Sequence, residues 1–422
     1  MKKFTMMRAV LSIWILSAVI CVARGKRSKD DIKVKHQAGK DIALDSSADS
    51  ISLVASANKE FAYHLYRKLA AHADSQGKNI FFSPISVSVA LAALSVGARG
   101  ETHRQIFSGL GFTNPILTQT VVDQVFHMLL KWANNASTKD TSQGTAVFLD
   151  NSFKPKLEFL DVLKKSYFAD GIEVDFTKTK ESANTINKYV EEMTNGKINK
   201  LVEDLNPNTV MYLISYIYYK GTWQTPFDPK LTKEDMFTVD EKTKVPVQMM
   251  NREEDFDTYY DPAIKTSVLS LPFNSTSSML LLLPDDMATL EKAISPKHIT
   301  KWLKSMKSRT YDVYLPKFSI KTTYSLNDAL TEMGMTNMFG AQAELSGISE
   351  GQKLAVSKVV HQATLDVDEA GATAAAATGL DIVPLSLHHI PVLKFDRPFM
   401  VLIIEPSTEH VLFMGKIINP NI

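Results

Sequence analysis

The C-terminal third of the chain contains the run Ala370-Gly371-Ala372-Thr373-Ala374-Ala375-Ala376-Ala377-Thr378-Gly379, which continues through Leu380–Leu387. The run has no proline before Pro384 and no charge before Asp381. Small uncharged side chains can enter a closely packed space without burying an unpaired charge, which is costly. The composition therefore predicts a segment able to join an existing sheet as a strand. An alanine helix or an inert linker is the alternative, because alanine is the best helix former.

The composition of the whole chain indicates a folded protein with a large core. The 422 residues are 45% hydrophobic and 22% charged, with a formal net charge of +1. A chain of this length buries a sizeable core. A net charge near zero gives no general attraction to nucleic acid, so we expect no nucleic-acid partner.

Residues 1–23 predict a secretory signal peptide. A positive start that includes Lys2, Lys3 and Arg8 precedes the apolar run Ala9–Val22, and small residues end the segment. The run is short for a membrane span, so we expect an extracellular protein with no membrane partner, with an anchor as the alternative. The single cysteine, Cys21, lies inside the signal. The secreted chain would therefore contain no disulfide and no thiol nucleophile.

Residues 24–50 form a basic segment that is poor in large apolar residues, and we predict a disordered tail. Glycosaminoglycan binding by this tail and dibasic processing at Arg24–Arg27 are its alternative roles. The sequons at Asn135 and Asn274 agree with secretion and predict surface N-glycosylation.

The remaining residues, 51–422, predict a single α+β domain because helical patterns come first and long strands later. Apolar positions at helical spacing indicate helices over 56–73 and 182–193, and Ser83-Pro84 starts another. Continuous apolar or alternating runs indicate strands. These lie at 209–219, 266–271, 278–283, 311–315, 354–367, 392–395, 399–404 and 411–415.

The clearest enzyme motif is Gly347-Ile348-Ser349-Glu350-Gly351, which matches the nucleophile elbow of α/β-hydrolases. That motif requires a buried strand before it and a helix after it, whereas here a strand pattern follows. We therefore do not expect a hydrolase, nor any other enzyme. The adjacent pair His388-His389 would point to opposite faces of a strand, so we predict no metal site and no cofactor.

Several segments, taken in order, resemble the serpin family, in particular the secreted antitrypsin-like group. The resemblance covers about residues 51–420. The matching segments are Asn79–Ser86, Tyr218–Trp223 with Pro226-Phe227, Asp366–Gly371, Phe395–Phe399 and Phe413–Ile417.

The resemblance implies a fold of three β-sheets and about nine helices, with an exposed reactive loop at about residues 369–391. Inhibitors of this family are suicide substrates of serine proteases. The protease cleaves the loop and forms a covalent acyl-enzyme, and the loop then inserts as a strand into a sheet. We accordingly predict serine proteases as partners and a monomeric inhibitor.

Counting from Glu369 in the family's pattern places the reactive bond at Leu385–Ser386. The resemblance assigns the hinge to Glu369, Gly371, Ala372, Thr373, Ala374 and Ala375. In an inserted strand, alternate side chains would share a face. Ala372, Ala374, Ala376, Thr378, Leu380 and Ile382 would then face the core, and Asp381 would fall on the opposite face.

Leu385 would occupy the primary specificity pocket of the protease. A medium-sized apolar residue suits chymotrypsin-like and elastase-like enzymes, whereas trypsin-like enzymes bind Arg or Lys against a buried carboxylate. A hormone carrier, or another serpin without inhibitory activity, is the alternative function. The uninterrupted small residues after Gly371 favour inhibition.

The resemblance also assigns residues that control opening of the sheet. Ser83, Ser86, Ser215 and His361 match a buried polar cluster called the shutter, in which the family commonly has Asn where this chain has Ser215. Trp223 and Lys317 match the breach, the region at the top of the sheet. We predict an ion pair between Lys317 and Glu369.

Overall fold

The computed structural model describes residues 38–136, 141–350, 353–370 and 390–422. The predicted signal peptide, the Leu385–Ser386 bond and hinge positions 371–375 lie outside these ranges. Residues from Ala48 to Ile422 form one compact unit, and the described residues 38–47 belong to a second unit. None of the helices in the described ranges is long and apolar enough to cross a membrane.

The described residues contain nine α-helices and two short 3-10 turns, Ala73–Ser75 and Asn337–Phe339. The helices are α1 (Ala38–Ala71), α2 (Pro84–Gly97), α3 (Gly100–Gly109), α4 (Gln119–Ala136), α5 (Leu157–Tyr167), α6 (Thr179–Met193), α7 (Met287–Ala293), α8 (Pro296–Ser305) and α9 (Asn327–Glu332).

Fourteen strands alternate with these helices in the described residues. They are β1 (Ile80–Phe82), β2 (Thr141–Asp150), β3 (Asp170–Val174), β4 (Met211–Lys220), β5 (Lys233–Thr238), β6 (Lys244–Asp261), β7 (Thr266–Pro272), β8 (Ser278–Pro284), β9 (Lys307–Pro316), β10 (Phe318–Ser325), β11 (Lys358–Val367), β12 (Val392–Lys394), β13 (Phe399–Glu405) and β14 (His410–Ile417). The predicted α+β class and the predicted number of helices are confirmed.

The first helix differs from the prediction, which placed residues 24–50 in a disordered tail and began the helix at 56. Helix α1 begins at Ala38, so residues 38–50 are helical. Residues 40–50 contain neither glycine nor proline, and nothing in this stretch stops the helix from extending. Ser50 and Val54 are both buried, which indicates that packing on the compact unit begins before position 56.

Hydrogen bonds join the described strands into two networks, where three separate sheets were predicted. Five strands pair in the order β10-β11-β4-β2-β3, and nine pair in the order β1-β14-β13-β8-β7-β6-β9-β12 with β5 on β6. The long strand β6 causes the difference. Its first part pairs with β5, its last part pairs with β7, and β9 pairs along most of its length.

Helix α2 lies at the centre of the core because its sequence is apolar on every side. Twelve of its positions are buried, and it packs on β2, β4 and β14. Pro84 occupies the first turn, where its missing N–H is not needed, and the Ser83 hydroxyl caps the helix by accepting from the Ser86 amide. The family's signature at 79–86 therefore fixes where a buried helix starts.

The five-stranded sheet contains two parallel pairs, β2 with β3 and β4 with β11, and the second of them joins two strands of 10 residues each. Their register runs from Tyr212 opposite Lys358 to Lys220 opposite Asp366. Strand β11 pairs antiparallel with β10 on its other side. We call the contact between β4 and β11 the seam. Parallel pairing is slightly less stable per residue than antiparallel pairing.

Strand β14 packs so closely on β1 that Gly415 has no room for a side chain. A Cβ at this position would collide with the backbone carbonyl of Ile80 and approach the Phe81 ring to 2.9 Å. We expect Gly415→Ala to lower the free energy of unfolding by about 1–3 kcal/mol, measured by urea denaturation. Gly340→Ala is the matched control, since its Cβ would meet nothing within 4 Å. Equal stabilities of the two variants would contradict this packing.

Candidate functional site: the seam and its upper end

The upper end of the seam is closed by Trp223, which follows directly from β4. Its indole Nε1–H donates to the Asp368 carbonyl at 2.7 Å, and its backbone N–H donates to the Ala370 carbonyl at 3.0 Å. The indole is buried and stacks on Phe273 with ring centroids 4.7 Å apart. Trp223 therefore attaches the described beginning of the predicted loop, up to Ala370, to the core.

Glu369 is held by two side chains and by the backbone. Its carboxylate accepts from Lys317 Nζ at 2.7 Å and from the Thr232 hydroxyl at 2.7 Å, and its carbonyl accepts from the Phe227 amide at 3.2 Å. The predicted ion pair between Lys317 and Glu369 is confirmed. Burial acts to raise the pKa of the Glu369 carboxyl, but Lys317 and Thr232 outweigh it, and the net pKa lies below the usual value.

Two further carboxylates, Asp366 and Asp368, shortly precede Glu369 in the sequence. Asp368 pairs with Lys220 Nζ at 2.8 Å, which brings the end of β4 to the end of β11. Asp366 accepts from the Tyr218 hydroxyl at 2.9 Å, also across the seam. These bonds join the ends of β4 and β11. A further strand could enter between β4 and β11 only if these bonds broke.

The predicted shutter residues lie together beneath the middle of the seam. The Ser83 amide donates to His361 Nε2 at 3.0 Å, so Nε2 is the acceptor and the neutral ring carries its proton on Nδ1. Nδ1 lies 3.1 Å from the Ser215 hydroxyl, and the Ser83 hydroxyl donates to that of Ser86 at 3.0 Å. Ser215 thus completes the cluster where the family commonly has Asn.

His361 is fully buried, and this burial lowers the pKa of the imidazole to about 3. The Ser83 amide offers no acceptor to an imidazolium, so the geometry also requires a neutral ring. His361 is therefore a structural hydrogen-bonding group of the seam.

Sequence reasoning missed Arg252, which supports the upper end of the seam from β6. Its guanidinium lies 4.7 Å from the Phe227 ring centroid and 4.9 Å from that of Phe256, and it donates to the Thr225 carbonyl. These contacts hold the segment whose Phe227 amide binds Glu369. The sequence carries no signal for this role, because β6 and residues 225–227 meet only in the folded protein.

The structure gives no support to Ser349 as a nucleophile. The residue is buried and forms an isolated β-bridge with Pro155 in an irregular segment. The described residues on either side of it, 341–350 and 353–357, contain no helix and no extended strand. Over the described residues, no group of three or more His, Cys, Asp or Glu side chains could hold a metal ion.

The two predicted glycosylation positions differ in their surroundings. Asn274 is exposed in the turn between β7 and β8, and its backbone N–H donates to the Thr222 carbonyl beside Trp223. Asn135 lies in the last turn of α4.

The buried neutral histidine predicts a loss of stability in acid. The pKa of His361 is lower in the folded protein than the ordinary value of about 6.5, so the unfolded chain binds more protons between these values. We expect the free energy of unfolding to fall as pH decreases from about 6.5 towards 3. This group alone would give a slope approaching about 1.4 kcal/mol per pH unit.

The control is His361→Gln, which cannot titrate in this range. The variant should be less stable at pH 7 but should lose less stability on acidification, measured by urea unfolding at several pH values. Parallel pH profiles for the two proteins would contradict the assignment.

The ion pair between Lys317 and Glu369 predicts that charge reversal loosens the upper end of the seam. We expect Glu369→Lys to place two cations together and to increase the fraction of polymer formed on heating, measured on native gels. The double variant Lys317→Glu with Glu369→Lys restores opposite charges and should lower that fraction again. An unchanged polymer fraction in the single variant would remove the hinge role from this pair.

Comparison with known proteins agrees with this geometry. Residues 56–420 match the family model described as Serpin (serine protease inhibitor). The chain is 41% identical over 366 residues to alpha-1-antitrypsin-like protein GS55-MS of Ictidomys tridecemlineatus, covering 86% of this chain and 88% of the relative. It is 39% identical over 409 residues to alpha-1-antiproteinase of Callosciurus caniceps, covering 96% and 97%.

Among solved structures, human thyroxine-binding globulin complexed with its hormone superposes with a TM-score of 0.82 at 34% identity. The match covers 88% of this chain and all of the globulin chain. The sequence match, the fold and the arrangement at the seam agree, and the chain belongs to the serpin family.

Proposed function

We propose that the protein is a secreted suicide-substrate inhibitor of chymotrypsin-like or elastase-like serine proteases, with its reactive bond at Leu385–Ser386. The observation that carries the proposal is the parallel seam between β4 and β11. Strand β11 leads directly into the predicted loop, so a loop that folds back would run antiparallel to β11. Because β4 is parallel to β11, the same strand would be antiparallel to β4 as well. It would gain the more stable pairing on both sides.

The chemistry uses groups of the protease. Its serine oxygen would attack the carbonyl carbon of Leu385, and the peptide bond would break to leave the new amine on Ser386. The acyl-enzyme joins the two proteins covalently. Insertion of the freed strand would then displace the protease before water hydrolyses the ester. The chain acts here as a substrate and not as an enzyme.

The contacts at the upper end of the seam support this sequence of events. Insertion would require two sets of bonds to rearrange: those from Trp223 to Asp368 and Ala370, and those that hold Glu369. Each of these bonds is a single hydrogen bond or ion pair, of a kind that contributes about 0.5–3 kcal/mol. Several bonds of this size together would hold the intact loop outside the sheet. The free energy gained by pairing a whole new strand would exceed their sum.

A second candidate function is carriage of a small hormone, as in thyroxine-binding globulin. The close superposition with that protein favours it. The names of the two antiproteinase-type relatives and the small residues at 371–377 favour inhibition. A carrier could retain an insertable loop, so a direct assay must separate the two functions.

The test is incubation of the secreted protein with chymotrypsin, neutrophil elastase and trypsin, followed by denaturing gel electrophoresis. We expect an SDS-stable complex with chymotrypsin or elastase and a released C-terminal peptide that begins at Ser386. Clean cleavage without a complex would contradict inhibition and favour the carrier.

Leu385→Arg is the matched variant, because it changes only the residue in the specificity pocket. A trypsin-like pocket contains a buried carboxylate, so the complex should shift from chymotrypsin to trypsin. If this variant still preferred chymotrypsin, the reactive bond would lie elsewhere in the loop.

A further inference from the structure

Helix α4 carries a tryptophan at the surface of the protein. Of the three tryptophans in the described ranges, Trp223 and Trp302 are 1% and 0% exposed, whereas Trp132 is 48% exposed. The two buried ones contact the rings of Phe273 and His298. Tryptophan is highly buried on average in folded proteins, so a half-exposed tryptophan on the surface of a helix requires an explanation.

Trp132 forms an apolar stripe with Met128, which lies about one helical turn before it on α4. Met128 is 39% exposed, and residues at this spacing are neighbours on a helix surface. The core face of α4 is made by other residues, since Val122, Val125 and Phe126 are 0–1% exposed. We call Met128 and Trp132 the α4 stripe. Adjoining exposed apolar side chains indicate a contact with some further group.

A glycosylation sequon lies at the end of the α4 stripe. The sequon is Asn135-Ala136-Ser137, and α4 extends through Ala136. At about 100° per residue, position 135 falls within about 60° of both Met128 and Trp132 around the helix axis. It lies about 4.5 Å beyond Trp132 along that axis. The backbone of α4 therefore brings the attachment point of a glycan next to the stripe.

The chemistry of a glycan suits this narrow stripe better than that of a protein or a membrane. A sugar ring has C–H groups on its faces and hydroxyl groups at its edges. The C–H groups can pack on the flat indole and exclude water from it, while the hydroxyls stay hydrated. A protein partner requires a much broader surface. Here Gln124, Lys131 and Asn134, which are polar and exposed, lie beside the stripe.

We propose that the N-glycan on Asn135 packs on Trp132 and Met128 and shields the α4 stripe from water in the secreted protein. The proposal rests on secretion, which is part of the proposed function, because N-glycans are added in the secretory pathway. It does not depend on protease inhibition. The glycan would be a fixed part of the protein surface, and its removal would leave an indole open to water and to other molecules of the protein.

The test uses secreted Asn274→Gln, in which the sequon at Asn135 is the remaining one. The folded protein is compared before and after treatment with peptide N-glycosidase, which releases the glycan and converts the asparagine to aspartate. Acrylamide quenching of tryptophan fluorescence then reports Trp132, because Trp223 and Trp302 are buried. We expect glycan release to raise the quenching constant about twofold and to shift the emission maximum to longer wavelength.

The matched control is Asn135→Gln treated with the same enzyme, which can release a glycan from Asn274 alone. That turn lies beside Trp223, which is buried against Phe273. Quenching should therefore be the same before and after treatment of the control.

A second measurement follows self-association, because an uncovered apolar stripe should promote it. Sedimentation velocity at high protein concentration should show more dimer for Asn135→Gln than for the wild type. The double variant Trp132→Gln with Asn135→Gln removes the indole as well as the glycan, and its dimer fraction should return to the wild-type level. A dimer fraction that is the same in all three proteins would contradict the shielding role.

Two results would overturn the proposal outright. The first is a quenching constant that does not change when the glycan is released. The second is a secreted protein whose peptide around Asn135 carries no glycan in mass spectrometry. Either result would leave protease inhibition untouched, and failure to form a covalent complex with a protease would leave the shielding of Trp132 untouched. A chain that is neither secreted nor glycosylated would overturn both the shielding and the proposed secretion.

Discussion

The parallel pairing of β4 with β11 is the constraint on which the rest of the structure depends. Strand β11 has an antiparallel partner on one side and a parallel partner on the other, so its pairing with β4 is the less stable of the two. Two groups of side chains hold that contact closed. Trp223, Lys317 and Glu369 lie at its upper end, and His361 with its serines lies beneath its middle.

The shutter uses its polar groups to specify the closed sheet. Both nitrogens of His361 have a partner, and the ring is neutral because Nε2 accepts from the Ser83 amide, which an imidazolium could not do. One residue further along the strand, on the opposite face, Gln362 is also fully buried. The same strand thus carries buried polar side chains on both of its faces.

Much of the fold could be predicted, because the periodicity of apolar residues and the family resemblance indicate it. The apolar strands, the proline-initiated helix at Pro84 and the ion pair between Lys317 and Glu369 follow from periodicity or from the family resemblance. The start of α1 was missed because composition alone does not show that residues near Ser50 pack on the compact unit. The merging of two predicted sheets depends on the full length of β6, which periodicity does not measure.

The site residues that were missed share a physical cause. Arg252 acts through a backbone carbonyl on a distant segment, and the Tyr216 hydroxyl lies over Gly144 on β2. Both facts depend on side-chain directions across strands, and one sequence contains no record of them. Alternation along β11 places Gln362 on a face, but it does not reveal what its neighbours bind.

The position of β13 and β14 has a consequence for the chain once it has been cut. Both strands follow the predicted reactive bond, and both lie inside the nine-stranded network between β1 and β8. The Asn79 side chain adds bonds to the backbone of Ile418, Asn419 and Ile422. The C-terminal piece would therefore remain in the body as a second, non-covalent chain. Unfolding would separate the two pieces, and refolding would then require them to find each other in solution, so a cut molecule could not return to its starting state by folding alone.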